Sequence, residues 1–287
     1  MPERIVESTP GPRPWLRGQA GAWGAAFAAL ALIAAAYGRT AATLWRMWSH
    51  NDTYSHGFLI APVSLFLVWN LRRQLRETPA VPTWAGLPVV AFAALLQIAG
   101  IRGDVTMFQA YSLILLVAGL TWTWFGPAVL RRLIFPIAFL VFGAPTFPVI
   151  VNQLSFRLKS IAALGSVSLA QLIGISVSLQ GMDLYLPTGI MTIEGACSGL
   201  NSLIALTALG ALFAYLGTGA PWRRWLLFAC SVPVALAGNI VRITSLCVYA
   251  GLTDTTRATG LFHNIGGFVL FGFALLAMVL LKRLLRC

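Results

Sequence analysis

The sequence predicts an all-α polytopic membrane protein with about eight transmembrane helices, and three observations carry that expectation. The 287 residues are 58% hydrophobic and only 10% charged, with a mean hydropathy of +0.81, whereas a soluble domain carries roughly 25% charged residues. Runs near the ~20 apolar residues that a spanning helix needs recur from Trp23 to Leu281. Between them the Arg residues come in twos and threes, the mark of cytoplasmic loops. The formal charge of +12 is therefore a matter of topology. Nucleic acid is excluded as a partner, because it needs basic residues on one solvated face beside base-reading elements; the partner implied is the lipid bilayer.

In chain order, residues 1–21 form a cytoplasmic N-terminal segment. They lack a charged start followed by an apolar run and a small-residue cleavage site, so no cleavable signal peptide is expected. Apolar spans lie near 22–38, 57–71, 84–101, 107–125, 132–150, 197–216, 225–250 and 263–281, within a single transmembrane domain over 22–281. Residues 282–287 form a basic cytoplasmic tail.

The stretch 153–177 decides the topology. Asn152, Gln153, Arg157, Lys159 and Gln171 interrupt it. If it does not cross, the N-terminus, 72–83, 126–131, 217–224 and the C-terminus share one side, and that side, with Arg132 counted at its boundary, holds thirteen of the 20 Lys and Arg residues. If it crosses, only eight remain inside. The first arrangement obeys the positive-inside bias and puts both termini in the cytoplasm. Residues 153–177 are then an amphipathic or re-entrant helix on the outer face. From Ser178 to Gly195 the chain alternates loosely about Pro187-Thr188-Gly189, which predicts a short β-hairpin at the outer surface, where water satisfies its backbone.

The hairpin leads into Glu194-Gly195-Ala196-Cys197-Ser198-Gly199-Leu200-Asn201. A cysteine at a helix start can have its thiol pKa lowered by the helix dipole, and the small residues around Cys197 leave room for a substrate chain. The alternative is a tight helix start with a buried thiol. Arg242, in Gly238-Asn239-Ile240-Val241-Arg242, is a charge within a span, which costs about 2.5–3.5 kcal/mol at a helix centre and points to function. The alternative is snorkelling to the interface. His263, followed by Asn264, opens the last span; alone it reads equally as a cap. The topology brings the three to one depth on the outer side.

That set suits acyl transfer, with Cys197 as nucleophile, His263 as acid and base, and Arg242 stabilising the oxyanion. Asn264, Glu194, Asp254 and Asp52 are the candidates for orienting His263. Cys230, Cys247 and Cys287 read as small hydrophobes. No CxxC pair or metal-ligand spacing is present, so no metal or cofactor is implied.

These residues resemble the exosortase/archaeosortase family of membrane cysteine transpeptidases. Ala196-Cys197-Ser198-Gly199-Leu200 is similar to the family's cysteine motif, Asn239-Ile240-Val241-Arg242-Ile243 to its arginine motif, and His263 with Asn264 and Gly267 to its histidine motif. Trp48 through Ile60, including Asp52-Thr53-Tyr54-Ser55-His56-Gly57, resembles an N-terminal family feature. The resemblance covers roughly 45–281. Asn264 stands where members often carry an acidic residue, and Asn201 where they often carry a basic one.

The resemblance implies catalytic roles for Cys197, Arg242 and His263, with supporting places for Asp52, Tyr54, His56, Glu194, Ser198, Asn201, Asn239 and Asn264. It implies an inner-membrane enzyme acting on membrane-anchored surface proteins with a C-terminal sorting signal: a motif such as Pro-Glu-Pro, a transmembrane helix and a basic tail. For Asp52, Tyr54 and His56 the simpler alternative is a loop that anchors the second helix. A transporter or channel is the alternative from another class, given Pro136, Pro145, Pro148 and Pro233 in or beside spans. Against it, almost no ionisable residue lies mid-membrane and no inverted repeat is visible.

Overall fold

A computed structural model describes residues 15–51, 54–146, 148–193, 200–253, 255 and 266–287. The helices are α1 (Trp15–His50), α2 (Gly57–Asn70), α3 (Arg72–Glu77), α4 (Leu87–Arg102), α5 (Thr106–Phe139), α6 (Pro148–Leu172), α7 (Leu200–Leu216), α8 (Pro221–Leu252) and α9 (Gly266–Leu284). Short 3-10 turns at Trp84–Gly86 and Leu140–Gly143 flank α4 and α5. Strands β1 (Ser178–Gln180), β2 (Asp183–Leu186) and β3 (Gly189–Thr192) form the sheet among the described residues. Trp84–Arg102, Thr106–Gly143 and Pro221–Leu252 are long and apolar enough to cross a bilayer, and Gly57–Asn70 and Ser202–Leu216 are shorter apolar helices. The chain is an all-α membrane protein carrying one small sheet.

α5 is not one rod. A straight helix rises 1.5 Å per residue, so Ala110 and Ala144 would lie about 50 Å apart. They instead share a core cluster with Leu44. The chain folds back at Gly126, whose φ of 83° and ψ of 175° break the helix. Only glycine fits there: a Cβ would stand 2.4 Å from the Val81 carbonyl oxygen, and a positive φ strains other residues. Val81 N donates to Phe125 O and Thr83 N to Thr123 O, clamping the turn against the approach to α4. The sequence expectation of spans at 107–125 and 132–150 becomes two arms, 106–125 and 127–139, with the second ending in the turn at Gly143.

The arms pack antiparallel to their neighbours. On the first arm, Leu116 clusters with Ala93 of α4 and Tyr37 of α1. Deeper, Thr40 donates to Gln109, Gln97 to Thr40 and to Ala36 O, Ser112 to Gln97, and Gln109 to Gly100 O. Thr40, Gln97 and Ser112 are buried, and inside a bilayer such groups must satisfy one another. On the second arm, Ser64 of α2 donates to Pro136 O at 2.8 Å, and Arg132 donates to Gln74 of α3. α1 runs on to His50, beyond the expected 22–38, because no Gly or Pro follows Gly38 before Asn51 to stop it.

α7 and α8 form an antiparallel pair, with Gly210 against Ser231 and Leu206 clustered with Ala235. α9 joins them through Ala274 and Met278. The α7–α8 turn meets the C-terminus, where Arg223 donates to Leu285 O and Lys282 lies over the Phe213 ring. Arg132 and Arg224 both lie near the Tyr215 hydroxyl. The second arm of α5 therefore starts, and α7 ends, at one end of the bundle.

It follows that Gly143 and Leu200 share the opposite end. The segment between them leaves and returns at that end of the bundle, and its first element is α6. It begins at 148 and ends at 172, rather than covering 153–177. Its small residues Ala162, Ala163 and Ala170 pack on Ile243, Cys247 and Ala250 of α8, and Ser166 donates to Ile240 O.

The expected two-stranded hairpin is a three-stranded antiparallel sheet in the order β1-β2-β3. The extra turn falls at Gly181, with φ 65°, a position the Pro187-Thr188-Gly189 signal overshadowed. Leu184, Leu186, Met191 and Ile193 form the buried face, against α6 and α8. Thr188 donates to Ala250 O at 2.8 Å, fixing the sheet to the end of α8.

Candidate functional site

Of the residues singled out in the sequence, Arg242, Asn239, Tyr54, His56 and the backbone of Asn201 are described. Cys197, His263, Asp52, Asp254, Glu194, Ser198 and Asn264 lie outside the described residues.

Arg242 is half-buried and Asn239, one turn earlier on α8, is 1% exposed. Residues three and four apart share a helix face. Ser231, Ala235, Asn239 and Arg242 therefore continue one stripe, whose first two members pack on α7 and α9. The register fixes the level of Arg242. Leu206, Ala235 and Ala274 meet, and α8 runs antiparallel to both neighbours. Moving from Ala235 to Arg242, about 10 Å along α8, moves an equal distance back along α7 and α9. That step reaches Leu200, the first residue of α7, and Gly267, in the first turn of α9. Arg242 stands level with both helix starts. In sequence, Leu200 is three residues after Cys197 and Gly267 four after His263.

The adjoining stripe of α8 carries Ile243, Cys247 and Ala250, which hold α6 and the sheet, and Ile243 follows Asn239 by one helical turn. α8 thus fastens the sheet along one stripe and carries Arg242 on the neighbouring one, with Asn239 buried between them. Among the described residues no group of three or more His, Cys, Asp or Glu is placed to hold a metal ion.

The connection from α1 to α2 lies at the same end. His56 Nε2 is 2.9 Å from Phe142 O; a carbonyl only accepts, so this nitrogen carries the proton. Trp48 Nε1 donates to Gly143 O at 2.9 Å. Both bonds satisfy carbonyls that a helix end leaves open. Gly57 makes room for the indole, since a Cβ there would stand 2.2 Å from Trp48 Nε1. Tyr54 folds into a turn, its N–H donating to Asn51 O and its carbonyl accepting from Gly57 N. Tyr111 hydrogen-bonds Thr146 beside it. The structure thus gives His56 an anchoring contact to the turn that precedes α6. Trp48, Tyr111 and Thr146 carried no role in the sequence reading, and the one local signal was a glycine directly after His56.

Residues 48–280 match the transmembrane exosortase family (Exosortase_EpsH). No curated protein and no solved structure matches the chain. With most of its length covered by that match, the chain belongs to the transmembrane exosortase family.

Proposed function

We propose that this chain is a membrane cysteine peptidase or transpeptidase that cuts C-terminal tripartite sorting signals of membrane-anchored surface proteins. The observation that carries the reading is the level shared by Arg242, the start of α7 and the start of α9. The Cys197 thiolate attacks the scissile carbonyl, and Arg242 stabilises the oxyanion that forms. His263 gives its proton to the leaving amine as the C–N bond breaks, leaving a thioester on Cys197. A water or a surface nucleophile, deprotonated by His263, then attacks the thioester and releases the thiolate. Asn239 and Asn201 flank this chemistry from α8 and α7, with Ser198 and Glu194 on the strand-to-helix link. Asn264, Glu194, Asp254 or Asp52 orients His263.

The same reading takes α1, α2, α4, the two arms of α5, α7, α8 and α9 as eight crossings of the inner membrane. Both termini and the Arg-rich turns are then cytoplasmic, and the site lies on the outer face. α2, with 14 residues, is short for a bilayer, and a local thinning of the lipid accommodates it.

The test is co-expression with a protein bearing such a signal. Replacing Cys197 by Ala should abolish the shortened product while the enzyme still inserts, and trapped acyl-enzyme should carry the substrate peptide on Cys197 by mass spectrometry. Unchanged processing would sink the mechanism.

A further inference from the structure

We infer that the outer edge of β3, unpaired by any strand among the described residues, is the substrate subsite: an extended segment of the membrane-anchored protein adds to the sheet as a fourth strand, just before the proposed nucleophile in the chain. The inference rests on the peptidase reading and adds how the peptide is held.

The edge follows from the register. Ile193 N donates to Met182 O at 2.9 Å, so Met182 and Ile193 are a hydrogen-bonded pair, and such pairs alternate along an antiparallel ladder. With Leu184 opposite Met191 and Leu186 opposite Gly189, residues 189, 191 and 193 turn their backbone groups toward β2. Ile190 and Thr192 turn theirs outward. No strand pairs with that edge among the described residues.

Three features suit this edge to a peptide. It is rigid, because Met191 and Ile193 are buried against α6 and α8 and Thr192 donates to Asp183 across the ladder at 2.7 Å. It offers an apolar side chain, since Ile190 is 60% exposed although it stands on a sheet flanked by polar turns. It is also continuous with the site, because Cys197 follows Thr192 by five residues. An added strand gains backbone hydrogen bonds whatever its sequence, and its alternate side chains read the surface. The other edge strand, β1, lies farther back in the chain from Cys197.

The experiment separates backbone from side chain. Ile190→Pro removes the outward N–H without touching a ladder bond, which proline tolerates only at an edge; it should slow processing about tenfold, the worth of roughly one hydrogen bond. Ile190→Ala keeps the N–H and should stay within about threefold of wild type. A second measurement covers the case in which the proline variant fails to insert. Ile190→Cys in the Cys197→Ala background is oxidised with substrates carrying single cysteines at successive positions just outside their membrane span. Crosslinks at alternate positions support strand pairing. Equal crosslinking at consecutive positions, or none, with the same substrates still cut by the wild-type enzyme, overturns the inference while leaving the peptidase reading intact. Substrates left uncut by the wild-type enzyme overturn both.

Discussion

The two halves of the molecule place their buried polarity differently. In the N-terminal half, Thr40, Gln97, Gln109 and Ser112 bond to one another across α1, α4 and α5, closing a network within the bundle. In the C-terminal half, Asn239 and Arg242 lie at one end of the helix stack, level with the starts of α7 and α9. The first pattern holds helices together where the hydrophobic effect gives no drive between them. The second places a charge beside the two helix starts, where the proposed reaction would use it. Polarity inside a membrane protein therefore points to function according to where its bonds lead, and not by its presence alone.

That contrast can be broken from either side. Arg242→Ala should give the largest effect, lowering processing by roughly 10²–10³ as expected for losing an oxyanion donor, with insertion unchanged. Arg242→Lys keeps the charge without the planar fork and should fall between. Initial rates normalised to enzyme in the membrane measure this; a wild-type rate for the alanine variant would reassign Arg242 to interfacial snorkelling. In the other half, Gly126→Val should act on the fold. It puts a branched side chain at a positive φ against Val81 O and should cost about 3 kcal/mol or more, read by thermal unfolding in detergent. Wild-type stability would show that the turn has a second conformation open to it.

Smaller effects sharpen the comparison. Gln97→Leu removes bonds to Thr40, Ala36 and Ser112 and should cost about 1–2 kcal/mol while leaving the rate per folded enzyme unchanged. A rate loss at full stability would mean that the network also tunes the site. His56→Ala should cost about 1 kcal/mol through the lost bond to Phe142 O, and His56→Gln, which keeps a donor, should recover part of it. If instead the rate falls and stability holds, His56 acts on the substrate or on His263.

The apolar runs were legible because they are local: composition over some twenty residues marks a span regardless of its neighbours. Charge bias predicts that Gly143 and Leu200 share a membrane side, and their common end of the bundle is compatible with that expectation. The fold-back at Gly126 was half legible, as a break between two runs, but its tightness depends on Val81, far back in the chain. The third strand was missed because Gly181 sits in a segment whose alternation is weak beside the stronger Pro187-Thr188-Gly189 turn. At the site, Arg242 stood out as a charge in an apolar run. The contact of His56 with Phe142 did not, because nothing near either residue names the other.

By itself the sequence determined the class of the protein, the solvent it folds in, and the residue types that suit acyl transfer, because these depend on local apolarity, charge bias and chemistry. Tertiary structure alone decided that α5 doubles back, that α8 holds the sheet along a stripe next to the one carrying Arg242, and that no strand among the described residues pairs with the outer edge of β3. Those facts rest on packing between residues tens of positions apart. A pattern read along the chain carries the period of an element, and only the assembled bundle carries its register.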